Sequence, residues 1–187
     1  MNFCSACGEK VSFLIPEGDN RHRFVCTSCH TIHYENPKIV TGCIPEWQDK
    51  ILLCKRAIEP RYGLWTLPAG FMENSETIMQ GAARETAEEA NAVVDNMQLF
   101  CVFSISHINQ VYTMYRGELV GGHASPGAES LDVALLSEDE IPWKKIAFQV
   151  ISETLRLYYK DKSSGRFVTH YGDIVRREDG SFEVHYF

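Results

Sequence analysis

Three glutamates carry the chemistry that stands out first. In Arg84-Glu85-Thr86-Ala87-Glu88-Glu89, the carboxylates of Glu85, Glu88 and Glu89 fall at i, i+3 and i+4. On a helix they share one face. Like charges so placed repel by about 0.2–0.5 kcal/mol per pair on an open helix. A hard divalent cation turns that repulsion into coordination, because magnesium takes carboxylate oxygens and keeps waters for a substrate. A solvated acidic helix face has the same pattern, and these residues alone leave both readings open. The second constellation is Cys4-Ser-Ala-Cys7 with Cys26-Thr-Ser-Cys29, two C-x-x-C pairs separated by eighteen residues. That is the spacing of a four-cysteine structural zinc site, whose closed tetrahedron leaves no position for catalysis. A redox dithiol is the rival, but neither pair lies in a strand-to-helix context. His22, His30 and His33 are reserve ligands nearby.

The glutamates need a helix and something ahead of it. Ser75 is a suitable N-cap, Glu76 then lies in the first turn, and alanines fill the middle. Asn91 marks the stop, as the second choice after Gly for a left-handed cap. Ile78, Met79, Ala82, Thr86 and Ala90 form the face to be packed. Upstream, Trp65-Thr66-Leu67-Pro68-Ala69-Gly70 reads as a short strand entering a Pro/Gly turn.

Gly70, five residues, Glu76, seven residues, then Arg84-Glu85-x-x-Glu88-Glu89 resembles the signature of the Nudix hydrolases. That box is a loop-helix-loop which binds magnesium or manganese and hydrolyses a nucleoside diphosphate linked to another group. Two positions depart from the pattern: Thr86 replaces an aliphatic residue and Asn91 a glycine. The resemblance implies metal ligation by Glu85, Glu88 and Glu89 with the backbone carbonyl of Ala69. It also implies that Gly70, Glu76 and Arg84 brace the box. The water-activating carboxylate of this family often lies in a later loop. Glu129, directly after the Gly121–Ala128 stretch, is the first candidate, ahead of Asp132 and Glu118 within expected strands.

The net charge of −7 and pI near 5.5 argue against a general nucleic-acid binder. Bridging metals still let an acidic enzyme hold an anionic substrate. No run approaches the ~18 apolar residues of a membrane span, and no signal peptide is expected. An odd count of seven cysteines in such a chain points to a reducing, cytoplasmic compartment and metal binding.

The expected domains are a zinc ribbon over 1–36, a Nudix domain over 37–160 and a C-terminal β-hairpin extension over 161–187. Asn36-Pro37 opens an extended run. Strands are expected over 38–47 and 50–56, 97–106 and 110–120, and 131–136, with a helix over 147–159. Cys43 and Cys54 read as core. Two alternating segments around Asp179-Gly180 predict the final hairpin. The architecture implied is an α/β/α sandwich with a mixed sheet.

Substrate contacts are expected from Arg56 and Arg61 on phosphate and from Trp65, Phe71, Phe103 and Tyr112 on rings, with Tyr115 a further aromatic. Aromatics at alternating strand positions, however, belong to a core more often than to a ligand. A four-cysteine ribbon before a Nudix domain is similar to the NADH pyrophosphatases, which carry a Ser-Gln-Pro-Trp-Pro-Phe-Pro array after the box. Here Val102 to Gln110 holds no proline and no tryptophan. FAD or ADP-ribose is therefore expected ahead of NADH. A non-catalytic nucleotide sensor, its ribbon docking a partner or nucleic acid, is the other class, but a sensor has no need of all three glutamates. The alternately apolar hairpin is expected to cover the ribbon or a second subunit, making a homodimer.

Overall fold

The computed structural model describes residues 1–187, which divide into two compact units, Met1–Pro37 and Lys38–Phe187. In the first unit, β1 (Val11–Leu14), β2 (Arg23–Cys26) and β3 (Ile32–His33) form an antiparallel sheet in that order. Only Cys4, Pro16 and Cys26 are buried there, so apolar packing cannot be what holds this unit together.

The second unit is built on the run Lys50-Ile-Leu-Leu-Cys-Lys-Arg56. Its apolar centre has no polar alternation, which is the mark of a strand covered on both faces. It forms β5 (Lys50–Arg56), paired with β4 (Lys38–Trp47) across the Gln48-Asp49 turn. Ile51 and Leu53 point into one core with Val150, Ile151, Leu155 and Tyr158 of α2 (Gln149–Ser164). Leu52 and Cys54 point the other way, into a core with Ala90 at the end of α1 (Ile78–Ala90). The sheet therefore lies between two helices.

Short strands β6 (Trp65–Thr66) and β7 (Ala69–Phe71) pair with β5 and β4. They are followed by β8 (Val94–Ile105), β9 (Gln110–Leu119), β10 (Ser130–Leu136), β11 (His170–Arg176) and β12 (Phe182–Tyr186). The order is β10-β5-β4-β9-β8-β11-β12, with β4–β9 and β8–β11 parallel and the rest antiparallel.

Several expectations change. The α1 N-cap is Thr77, not Ser75, which sits at φ +71° before it. Thr77 Oγ1 accepts from the Gln80 amide at 3.2 Å and Gln80 Oε1 accepts from the Thr77 amide at 2.8 Å. This reciprocal box satisfies two orphan donors; from Ser75 the third residue on is Ile78, which can return no bond. Glu76 accordingly precedes the helix instead of sitting in its first turn. Met79 is exposed, while Gly81, Ala82, Thr86, Glu89 and Ala90 are buried. The buried Thr86 hydroxyl donates to the Ala82 carbonyl at 2.8 Å, so a polar group is accommodated where the family pattern has an aliphatic one. The second helix runs on to Ser164, closed by Gly165 in the left-handed region.

The hairpin at the C-terminus is not a separate extension. Its first strand pairs in parallel with β8, so the edge expected to cover the ribbon or a second subunit is filled within its own sheet. The edge itself is β12.

Candidate active site

Gly70 lies on β7 against the carboxylate of Glu85, where a Cβ would overlap it. Backbone and box helix can approach this closely only at glycine. The loop between them is fastened by Arg84. Its Nε and Nη2 donate to the two carboxylate oxygens of Glu76 at 3.0 and 2.9 Å, and Nη2 also reaches the Phe71 carbonyl at 3.1 Å. The Glu73 amide donates to Glu76 at 2.7 Å. These bonds hold the Glu76 carboxyl well below the usual range, at about 2. Through Nη1, Arg84 also donates to Glu85 at 2.8 Å and Glu88 at 2.9 Å. The structure thus gathers Gly70, Glu76 and Arg84 into one clamp beside the glutamates.

The three glutamates differ in surroundings. Glu88 is exposed, Glu85 is half-buried, and Glu89 is 6% exposed. Burial raises Glu85, with Glu88 and Glu129 adding to the effect and Arg84 opposing it. Burial pushes Glu89 up to about 8, with Glu85 and Glu129 contributing; Arg56 and the Ala69 amide pull the other way. Glu89 Oε2 has no hydrogen-bond partner. An unpaired buried polar atom costs about 1–3 kcal/mol, and more for an anion. Partnerless carboxylate oxygen, a facing pair of glutamates and the adjoining Ala69 segment make a donor set that fits a hard divalent cation.

The loop that follows β9 is fitted onto the end of α1. Asn91 adopts the left-handed conformation, φ 46°, as the helix ends. Its Nδ2 donates to the Ser125 carbonyl, the Ser125 hydroxyl and the Pro126 carbonyl at 3.3, 3.2 and 3.0 Å. The Ser125 and Gly127 amides donate to the carbonyls of Ala90 and Glu89 at 2.8 and 2.9 Å. A Cβ on Gly127 would overlap the Glu88 carbonyl. Orphan carbonyls of the helix are satisfied in this way. Two residues later Glu129 enters the cleft, close enough for its charge to act on Glu85 and Glu89. Asp132 and Glu118 do not line that cleft; Glu118 accepts instead from Asn96 at 3.0 Å.

The cleft has a volume of about 1490 Å³. Arg56 lines it, with Nε donating to the Pro60 carbonyl at 2.9 Å and the guanidinium 5.1 Å from the Phe148 ring centre. Arg61, Phe71 and Tyr112 line it too, Phe71 with Lys38 Nζ 4.9 Å over its ring. Three expected ring contacts do not. Phe103 is fully buried in the main core, Trp65 packs against that core, and Tyr115 lies outside the lining. Phe103 shares a sheet face with the lining residues Ile105 and Tyr112, but it is covered within the core, its ring 6.2 Å from that of Tyr186, and this closes stacking to it. Unforeseen lining residues come from the turn after β8 (His107, Ile108) and from the C-terminal hairpin (Ile174, Phe182). The Asp179-Gly180 signal locates that hairpin, but no local pattern reveals its parallel pairing with β8.

In the first unit the four sulfurs all lie within 4.8 Å of one another, with Cys4–Cys29 at 3.6 Å and Cys7–Cys26 at 3.5 Å. Zn–S bonds of about 2.3 Å in a tetrahedron require sulfur–sulfur edges of roughly 3.8 Å. The Ala6 and Cys29 amides point at Cys4 and Cys26 Sγ, each at 3.4 Å, as thiolates require. His33 Nε2 is 3.3 Å from Cys4 Sγ, beside the cluster, and His22 is stacked on Phe13. The set fits zinc.

Comparison with known proteins identifies the family. The NUDIX domain family matches residues 36–154, and the Nudix N-terminal family, a zinc ribbon, matches residues 2–35. The crystal structure of a NUDIX hydrolase from Nitrosomonas europaea is 55% identical with a TM-score of 0.90, covering 94% of this chain and 99% of that one. The NAD-capped RNA hydrolase NudC of Photobacterium profundum is 30% identical over 165 residues, which are 83% of this chain but 59% of that relative's length. The ADP-ribose pyrophosphatase of Methanocaldococcus jannaschii is 27% identical over 132 residues, covering 66% of this chain and 76% of the relative. This chain belongs to the Nudix hydrolase family, with a four-cysteine zinc-ribbon unit ahead of the Nudix domain.

Proposed function

We propose that this protein hydrolyses the pyrophosphate bond of a nucleoside diphosphate derivative, FAD or ADP-ribose, to two monophosphates, using magnesium or manganese. One observation carries this reading: a single cleft holds the partnerless carboxylate of Glu89, its companions Glu85 and Glu88, and the buried cation Arg56. Glu85, Glu88, Glu89 and the Ala69 carbonyl would hold the metal, which when bound offsets phosphate charge and lowers the pKa of water.

The chain's own residues do the positioning. The Arg56 guanidinium, fixed through Nε by Pro60, turns its remaining N–H groups to a phosphate oxygen. Glu129 takes the proton of the attacking water as the new O–P bond forms and the bridging P–O bond breaks; the departing phosphate carries the electron pair. The Glu76–Arg84 clamp keeps the loop and helix in register throughout.

FAD and ADP-ribose rank ahead of NADH because Val102–Gln110 lacks the proline and tryptophan of the NADH-type array. The relative named ADP-ribose pyrophosphatase supports the same ranking. The NudC relatives favour a second reading, a dinucleotide at the end of an RNA; the net charge of −7 weighs against it. A panel of FAD, ADP-ribose, NADH and NAD-capped RNA separates them by kcat/KM. A lead of about tenfold, 1.4 kcal/mol, for NADH or capped RNA overturns the ranking. Failure to hydrolyse any of the four with either metal overturns the enzyme reading and leaves a nucleotide sensor. We further propose a homodimer using the open β12 edge, which light scattering showing a monomer contradicts.

A further inference from the structure

The cleft crosses the strands. Arg56 is on β5 and Ile174 on β11, with β4, β9 and β8 between them in the sheet order. Charge is divided unevenly along it. The box glutamates, Glu129 and Arg56 belong to the β5 and β10 side. On the β8–β12 side the lining is Ile105, His107, Ile108, Gln110, Ile174 and Phe182, without a carboxylate, lysine or arginine.

Register explains why this arm is flat and apolar. Gln110 pairs with Ile105, so both side chains rise from one face of the sheet. Beyond Ile105, the parallel addition of β11 to β8 brings Ile174 onto the same face, and β12 places Phe182 opposite Arg176. The Phe182 ring is 44% exposed and lies 5.6 Å from the His107 ring, tilted by 44°. Two rings from distant parts of the chain thus stand together over an uncharged floor, continuous with the phosphate end. No lysine or arginine lines this arm; Arg176 and Lys38, the strand partners of Phe182 and Gln110, lie outside the lining. A planar ring without charge finds stacking partners, and Gln110 supplies a donor and an acceptor for its edge.

We infer that this arm takes the second, uncharged ring of a dinucleotide, and that Phe182 and His107 are the residues that select it. The inference rests on the pyrophosphatase reading and deepens it, since it separates two-ring substrates from ADP-ribose, which has one. A flavin and a reduced nicotinamide share the required chemistry.

The test compares selectivity, kcat/KM for FAD and for NADH each divided by that for ADP-ribose, in the wild type, Phe182→Ala and Phe182→Tyr. One ratio falls by about tenfold in Phe182→Ala and recovers in Phe182→Tyr, where an aromatic face is restored. The ratio that falls tells which ring is held. A purely structural role lowers all three substrates together and leaves the ratios unchanged, which overturns the inference. Riboflavin, a flavin without phosphate, provides a readout independent of turnover: its fluorescence is quenched by the wild type and not by Phe182→Ala. If Phe182-dependent quenching occurs in a protein that hydrolyses nothing, the pyrophosphatase reading fails and the ring site stands. Should Phe182→Ala disturb the edge strand, His107→Ala, in the ring beside it, must give the same change in ratio, and unchanged ratios there overturn the inference as well.

Discussion

Glu89 shows how burial makes one of three similar residues different. Its folded pKa of about 8 lies above the usual 4.5, so the folded state retains a proton that the unfolded chain has released. Stability from this group is therefore complete below 4.5 and is lost as the pH rises to about 8. In metal-free protein, the melting temperature of the wild type should fall across that window relative to Glu89→Gln. Saturating magnesium should remove the difference by giving the carboxylate a partner. A metal-free wild type that tracks Glu89→Gln at every pH contradicts this account. For Glu129, replacement by Gln should lower turnover by about 100-fold, within the range for a general base. Asp132→Asn and Glu118→Gln should stay near wild type; a crippled enzyme from either would move the role. The spacing of Glu85, Glu88 and Glu89 was readable because i, i+3 and i+4 fix a common face. Their unequal burial was not, because it depends on the loop packed against the helix end.

Among the elements, α1 and the loop after β9 depend on one another through Asn91. A glycine there keeps the left-handed cap at little cost but removes three side-chain bonds to Ser125 and Pro126. Asn91→Gly should lower kcat several-fold by loosening the approach to Glu129, with a stability loss of about 1 kcal/mol, since exposed bonds contribute little net. Unchanged kcat with the same stability loss would make Asn91 a cap and nothing more. The strands at 38–47 and 50–56 lie as the sequence pattern predicts, since apolar runs bounded by a Gln-Asp turn leave few alternatives. The helix is capped by Thr77 and not by Ser75 because Ser75 is a good cap only in isolation, whereas the reciprocal bonds of Thr77 and Gln80 prevail. The parallel β8–β11 pairing, and with it the Phe182 wall, depends on contacts distant in sequence that leave no local trace.

For the whole molecule, the division into units sets what each metal does. The unit Met1–Pro37 buries almost no apolar surface, and its fold must come from the four-thiolate site. Removing zinc with a chelator should abolish the amide protection of residues 1–37 while residues 38–187 keep theirs, as followed by hydrogen exchange. Retained protection in the zinc-free ribbon contradicts a structural zinc. The unit Lys38–Phe187 has its own two cores and lines the cleft with its own residues. The most direct test is turnover of ADP-ribose and FAD by wild type and Glu89→Gln, with magnesium, with manganese and with neither. The proposal predicts metal-dependent release of two monophosphates by the wild type. It predicts a loss of about 100-fold or more in the folded variant. Metal-independent turnover, or a folded Glu89→Gln enzyme at near wild-type rate, would contradict it.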